Sequence, residues 1–157
     1  MRVVVDTDRL TALLADRLAA IVPDGIRVEA DDGMLRFSAE EGQFPGQSGD
    51  FRVGRSGSYV RTSFEVRTGT VADRLAGACV QVLDDLQDFV SEATHDPWPG
   101  RTAQPAPQAQ IFQAELRLWY GGRHGRQSVL ACTPIPLTDL GPPQRGGTAR
   151  PSRPGRQ

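Results

Sequence analysis

The chain has 157 residues, 38% apolar and 24% charged, values typical of one small globular domain rather than two. All 18 basic residues are arginine, and the sequence contains neither lysine nor asparagine. The missing lysine excludes Schiff-base chemistry and the Walker phosphate loop, which both need that amine. Every uninterrupted apolar stretch is far shorter than the roughly 20 residues that a membrane-spanning helix needs.

The net charge of −1 combines two regions of opposite sign. Residues 1–140 contain 14 arginines and all 19 acidic residues, whereas residues 141–157 contain four arginines and no acid. The second region is rich in proline and glycine and has no large apolar residue, so it cannot bury enough surface to offset the entropy of ordering. We predict one domain over residues 1–140 and a disordered tail over residues 141–157.

The N-terminal residues predict a cytoplasmic protein, because Met1 is followed by neither the apolar region nor the cleavage site of a signal peptide. In a reducing compartment Cys79 and Cys132 stay thiols. Apolar residues surround both of them, which predicts packing roles.

A first helix is predicted over residues 7–22, where leucine, isoleucine and valine recur at three- and four-residue spacing. Asp6 or Thr7 can cap its start, and Pro23 ends it. A hairpin is predicted next, with Asp32 and Gly33 as its tight turn. That turn sets three cross-strand pairs, Ala30 with Leu35, Val28 with Phe37 and Glu29 with Arg36.

Residues 42–57 contain five glycines and predict a loop. Alternation over residues 59–66 predicts a third strand, with Tyr59 and Arg61 on its polar face. The arginine side chains in and after this loop are suited to binding an anion such as phosphate or carboxylate. The alternative interpretation is that the loop only connects its neighbouring strands.

Residues 71–93 predict a long second helix that Thr70 opens, with apolar residues on one side and acidic residues on the other. Asp84, Asp88 and Glu92 repel one another at four-residue spacing on the acidic side. No arginine lies between residues 74 and 101 to relieve them. We therefore predict that this acidic helix face is either solvated or in contact with the arginine tail, a divalent ion or a basic partner.

The last elements complete a two-layer α+β prediction. The prolines of residues 97–107 predict an extended connection, and a second hairpin is expected with a strand over residues 112–120, a turn over 121–125 and a return over 129–132. The order α-β-β-β-α-β-β predicts one antiparallel sheet of about five strands with both helices on one face. The other face is then solvated or a binding surface.

Trp119 and Arg117 are expected on that outer sheet face, together with Tyr59 and Arg61. Trp119 alternates with the core-facing Leu118, which predicts either an indole exposed on the outer face or, as the alternative, a packing role. Tryptophan, tyrosine and arginine are enriched among the residues that dominate binding energy at interfaces. Trp98 follows a proline at the end of the helix and is expected to pack at the edge of the core.

Residues 96–100 (DPWPG) and 116–121 (LRLWYG) resemble stretches of short actinobacterial proteins of unknown function. The absence of lysine fits the GC-rich genome that this resemblance implies. The resemblance covers most of residues 5–140 and implies no activity, cofactor or site.

These observations favour a non-catalytic cytoplasmic accessory or interaction domain. It would hold a protein partner or a second copy of itself through the outer sheet face or the acidic helix face. The alternative is an anion- or metal-dependent ligand-binding domain or enzyme that uses the glycine/arginine loop and the acidic helix face. We predict no catalytic residue, no cofactor and no metal ligand, and four tail arginines support only weak nucleic-acid binding.

Overall fold

A computed structural model of the chain describes residues 5–31, 34–39, 60–61, 71–100, 104–123 and 128–141, with only the backbone described at 60–61. In chain order the elements are α1 (Thr7–Ala19), β1 (Ile26–Asp31), β2 (Met34–Ala39), β3 (Val60–Arg61), α2 (Val71–Thr94), β4 (Pro107–Phe112), β5 (Glu115–Tyr120), β6 (Leu130–Ala131), β7 (Ile135–Pro136) and a 3₁₀ turn (Leu137–Leu140). None of the helices described is both long enough and apolar enough to cross a membrane. Residues 142–157, most of the predicted tail, lie outside this description.

Helix α1 begins at a carboxylate cap. Of the two possible caps, Asp6 is the one used, since its Oδ1 accepts the backbone N–H of Arg9 at 3.0 Å. The backbone N–H of Asp6 donates to the carbonyl of Leu140 at 2.7 Å, and Arg9 Nε donates to the carbonyl of Asp139 at 3.1 Å. The start of α1 is therefore attached to the 3₁₀ turn, whose Leu140 is fully buried.

We expect Asp6→Ala to lower the free energy of unfolding by about 1 kcal/mol, because the N–H of Arg9 loses its acceptor. Urea denaturation measures this loss. Asp24→Ala is the matched control, since Asp24 is an exposed carboxylate beyond the end of α1. Equal losses in the two variants would contradict the capping role.

The first hairpin has the predicted register. Strands β1 and β2 pair antiparallel, with Ala30 opposite Leu35, Val28 opposite Phe37 and Glu29 opposite Arg36. Asp32 and Gly33, the predicted turn, lie outside the described residues. The predicted third strand is described only at Val60–Arg61, which pairs antiparallel with β2.

Helix α2 matches its predicted extent to within one residue. Thr70, its predicted cap, lies outside the described residues. Val71, expected on the apolar side, is 46% exposed because it stands at the first turn, beyond the core. The other apolar positions predicted for this face are buried: Leu75, Cys79, Val82, Leu86, Phe89 and Ala93.

The predicted second hairpin is present between β5 and β6, and an additional hairpin precedes it. Instead of one strand over residues 112–120, β4 and β5 pair antiparallel around Gln113 and Ala114. Both turn residues have positive φ, 50° and 62°, as in the mirror-image turns that two-residue hairpins favour. Strand β4 thus begins at the last residue of the predicted extended connection and lies mostly in residues 108–111, for which no element was predicted. The predicted return is confirmed in β6, which pairs with β5 on its other edge.

The α+β class is confirmed, but the described strands form two sheets instead of the expected one. One sheet has the order β1-β2-β3 and the other β4-β5-β6, with β7 also paired to β5. Helix α1 packs on β1 and β2, and α2 packs on β4 and also contacts β2 and β5. Both helices and both sheets contribute to one core cluster, so the two sheets share their apolar interior.

Helix α2 connects the two sheets through aromatic residues. Phe89 lies against Phe37 of β2, with ring centroids 5.9 Å apart. Tyr120 of β5 donates its hydroxyl hydrogen to the carbonyl of Leu83 at 2.6 Å. Trp98 meets Tyr120 edge-on at 5.2 Å, which confirms its predicted place at the core edge.

Both cysteines are buried free thiols, which agrees with packing roles. Burial raises the pKa of Cys79 to about 12, with a smaller contribution from Cys132 nearby. Burial likewise raises the pKa of Cys132 to about 11, against the opposing charge of Arg17. At neutral pH both sulfurs therefore keep their protons.

Candidate functional site

The second sheet has one face in the core and one face outside it. Leu116, Leu118 and Tyr120 of β5 belong to the core cluster, so the alternate residues lie on the opposite side, which we call the outer face. The β4–β5 register places outer-face residues side by side: Gln108 with Trp119, Gln110 with Arg117 and Phe112 with Glu115. Ala131 of β6 lies on the other side of Trp119.

Trp119 is on the predicted face but is only 6% exposed, which agrees with the packing alternative and not with an exposed indole. Its Nε1 donates to the carbonyl of Gly122 at 2.8 Å. The chain therefore folds back beside the indole directly after β5 ends. Alternation along a strand predicts the face of a side chain but not what the next segment lays against it. Trp119 thus forms a wall of the site and not a projecting contact.

Two adjoining depressions flank this indole, and together we call them the groove. The larger has a volume of about 340 Å³ and the smaller about 230 Å³. Gln110 and Trp119 line both of them, so the groove crosses strands β4 and β5. The larger is also lined by Arg117, Leu118, Ser128, Ala131, Cys132 and Pro134, and the smaller by Gln108, Ala109 and Arg123.

Arg117 is oriented by two neighbours on the outer face. Its guanidinium carbon lies 5.0 Å from the centre of the Phe112 ring, and Nη2 lies 3.4 Å from a carboxylate oxygen of Glu115. Such a long contact between two partly exposed side chains contributes little stability. The Nε–H has no acceptor among the described residues. Since that Nε is buried, the Nη groups are the donors that a partner can reach, and among the described residues only Nη2 has an acceptor, Glu115.

Of the other two residues predicted for the outer face, only the backbone of Arg61 is described. Arg61 lies in β3, which belongs to the first sheet, and Tyr59 lies outside the described residues. Arg61 is therefore in a different sheet from Trp119 and Arg117, with which it was grouped. Of the loop that carries the alternative ligand-binding interpretation, residues 42–57 also fall outside the description.

The acidic helix face is separate from the groove, since α2 packs on the core side of β4. Asp84, Asp88 and Glu92 are exposed along it, as predicted. The pKa of Asp85 is raised, first by partial burial and also by the charges of Asp84 and Asp88, although Gln81 donates a hydrogen bond to it at 3.0 Å. Within the described ranges no group of three or more histidine, cysteine or acidic residues is arranged to hold a metal ion.

Several lining residues were not predicted from the sequence. Gln108 and Gln110 alternate with Ala109 and Ile111, a period-two pattern that is a signal for β4. Ser128, Pro134 and Arg123 have no such signal, because they approach the sheet from segments outside regular strands.

Comparison with known proteins gave no match among family models, curated proteins or solved structures. The groove is therefore interpreted from its own residues and geometry.

Proposed function

We propose that this chain is a non-catalytic interaction domain of the cytoplasm that holds a protein partner on the outer face of its second sheet. The observation that carries the proposal is the groove across β4 and β5, which has Trp119 as its wall and Arg117 at its rim. The opposite face of this sheet is occupied by the core, so among the described residues the outer face is the side left for a partner.

The shape and lining of the groove favour a protein over a small ligand. Small-molecule sites enclose most of the ligand in one cavity. Here two depressions share Gln110 and Trp119 and continue across neighbouring strands. Their lining combines apolar side chains, neutral amides and arginine, which resembles a protein interface more than an enclosed pocket.

The chemistry of the groove supports a non-catalytic role. Cys132 is the one thiol that lines it, and burial raises its pKa to about 11. Catalytic cysteines instead have a lowered pKa, because the thiolate is the nucleophile. The hydroxyl of Ser128 has no histidine among the described lining residues to act as its base.

The test is Ala131→Arg, which places a long side chain in the groove from an exposed position opposite Trp119. We expect this variant to capture its partner from lysate of the native host at least about tenfold less well than the wild type. Ala19→Arg is the matched control, since Ala19 is an exposed alanine at the end of α1. Thermal melts establish that both variants fold. The proposal is wrong if a partner binds wild type and Ala131→Arg with equal dissociation constants.

A further inference from the structure

We infer that the groove selects a partner segment in which a carboxylate stands beside an apolar side chain, with the carboxylate on Arg117 and the apolar group in the larger depression. This inference rests on the proposed function and adds the chemistry of the partner. It follows from charge, from donor capacity and from the lining of the larger depression.

The charges of the outer face favour an acidic partner. Arg117 and Arg123 border the two depressions, and Glu115 is the one acidic residue among the described residues of this face. The acidic residues of α2 lie on the core side of the sheet and do not line the groove. An incoming carboxylate therefore meets a local excess of positive charge.

Arg117 can hold a carboxylate through paired hydrogen bonds. A guanidinium has five N–H donors in a fixed plane, and two parallel bonds to a carboxylate are its strongest pairing. Among the described residues only Glu115 accepts from it, at the long distance of 3.4 Å. The Phe112 ring already holds the guanidinium in place, so binding costs less side-chain entropy than it would for a free arginine.

An apolar subsite lies next to this arginine. Trp119, Ala131, Cys132 and Pro134 line the larger depression, whose volume of about 340 Å³ leaves room for a side chain and its flanking backbone. Gln110 and Ser128 border the same depression with an amide and a hydroxyl that can pair with peptide groups. The carboxylate and the apolar side chain would therefore come from neighbouring residues of one segment.

A peptide fits these features better than a single-stranded nucleic acid does. Single-strand binding combines a basic groove with exposed aromatic rings on which bases stack. Trp119 is only 6% exposed, and the Phe112 ring already carries the Arg117 guanidinium. The described residues of the outer face therefore offer a cationic rim without a free stacking platform.

A displayed library of random heptapeptides, selected on the immobilised full chain, tests the inference. We expect enrichment of sequences with Asp or Glu adjacent to Leu, Ile, Met or Phe. Enriched peptides should bind Arg117→Gln at least about tenfold more weakly, since a charge-assisted pair is lost. Arg117→Lys keeps the charge but loses the paired N–H donors of the guanidinium. Its affinity for these peptides should therefore lie between those of the wild type and Arg117→Gln. Arg27→Gln, an exposed charge on the first sheet, should bind like the wild type.

The outcomes separate this inference from the proposed function. Enriched peptides that lack acidic residues, or that bind Arg117→Gln as well as the wild type, overturn the inference. If Ala131→Arg still abolishes their binding, the groove remains the docking surface and the proposed function stands. No enrichment at all, or an oligonucleotide that binds the groove in place of peptides, also overturns the inference. Matching melting temperatures show that the Arg117 variants are folded.

Discussion

Replacing Phe37 with alanine is expected to lower the free energy of unfolding by about 3–5 kcal/mol, the usual cost of removing a fully buried aromatic ring. The ring is 0% exposed and packs against Phe89 of α2. Because α2 also packs on the second sheet, we expect the loss to appear across both sheets at once. This variant therefore tests whether the shared core cluster unfolds as one unit.

The two tryptophans make that test specific. Trp98 and Trp119 both belong to the second half of the chain, whereas Phe37 is in the first sheet. Urea unfolding followed by tryptophan fluorescence and by far-UV circular dichroism should give the same lowered midpoint. A fluorescence midpoint that stays at the wild-type value would show that the sheets unfold separately. Phe112→Ala, at a ring that is 47% exposed, is the control and should lose about 1 kcal/mol or less.

Alkaline pH is expected to destabilise the protein well before its arginines titrate. Above the ordinary thiol pKa of about 9, the unfolded chain releases the protons of Cys79 and Cys132, while the folded chain keeps them up to about 12 and 11. Their stabilising contribution is therefore complete below pH 9 and is lost as the pH rises toward those folded values. In that pH window each thiol should lower the free energy of unfolding by about 1 kcal/mol per pH unit. Burial also raises the pKa of the Tyr120 hydroxyl, which adds to the loss above pH 10.

The measurement is the free energy of unfolding at intervals from pH 7 to pH 10.5. Cys79→Ala should be less stable than the wild type at neutral pH but should lose stability less steeply above pH 9. Val82→Ala is the matched control, since Val82 is buried to the same extent on the same helix and carries no proton to release. Parallel pH profiles for wild type and Cys79→Ala would contradict the assignment of a buried, protonated thiol.

The fold was predictable where local signals and tertiary structure agree. The first hairpin follows from Asp32 and Gly33, and the long second helix follows from its two chemically distinct sides. The β4–β5 hairpin was missed because its turn residues are Gln113 and Ala114. Side chains with a Cβ resist positive φ, so their sequence carries no turn signal, and tertiary packing determines the turn. Because of that error residues 108–111 were assigned to no element, and the pairing of β4 with β5 was not predicted.

The candidate site was predicted only in part, because only some of its features follow from local sequence signals. Alternation correctly placed Trp119 and Arg117 on the side of β5 away from Leu118. Whether Trp119 is open to a partner depends on Gly122, which comes after the strand has ended. The grouping with Tyr59 and Arg61 assumed one continuous sheet, and strand pairing over long sequence separation is the least local property of a fold. Sequence patterns therefore predict the faces of strands better than the surroundings of those faces.

The hydrogen bond between Asp6 and Leu140 brings the first and last elements of the described chain side by side. The path of the backbone is accordingly close to a closed ring. Joining residues near these two positions with a short linker and opening the chain elsewhere should preserve the arrangement of both sheets, as circular permutation does in domains whose termini adjoin. The spatial arrangement of the elements would then not depend on which of them is synthesised first.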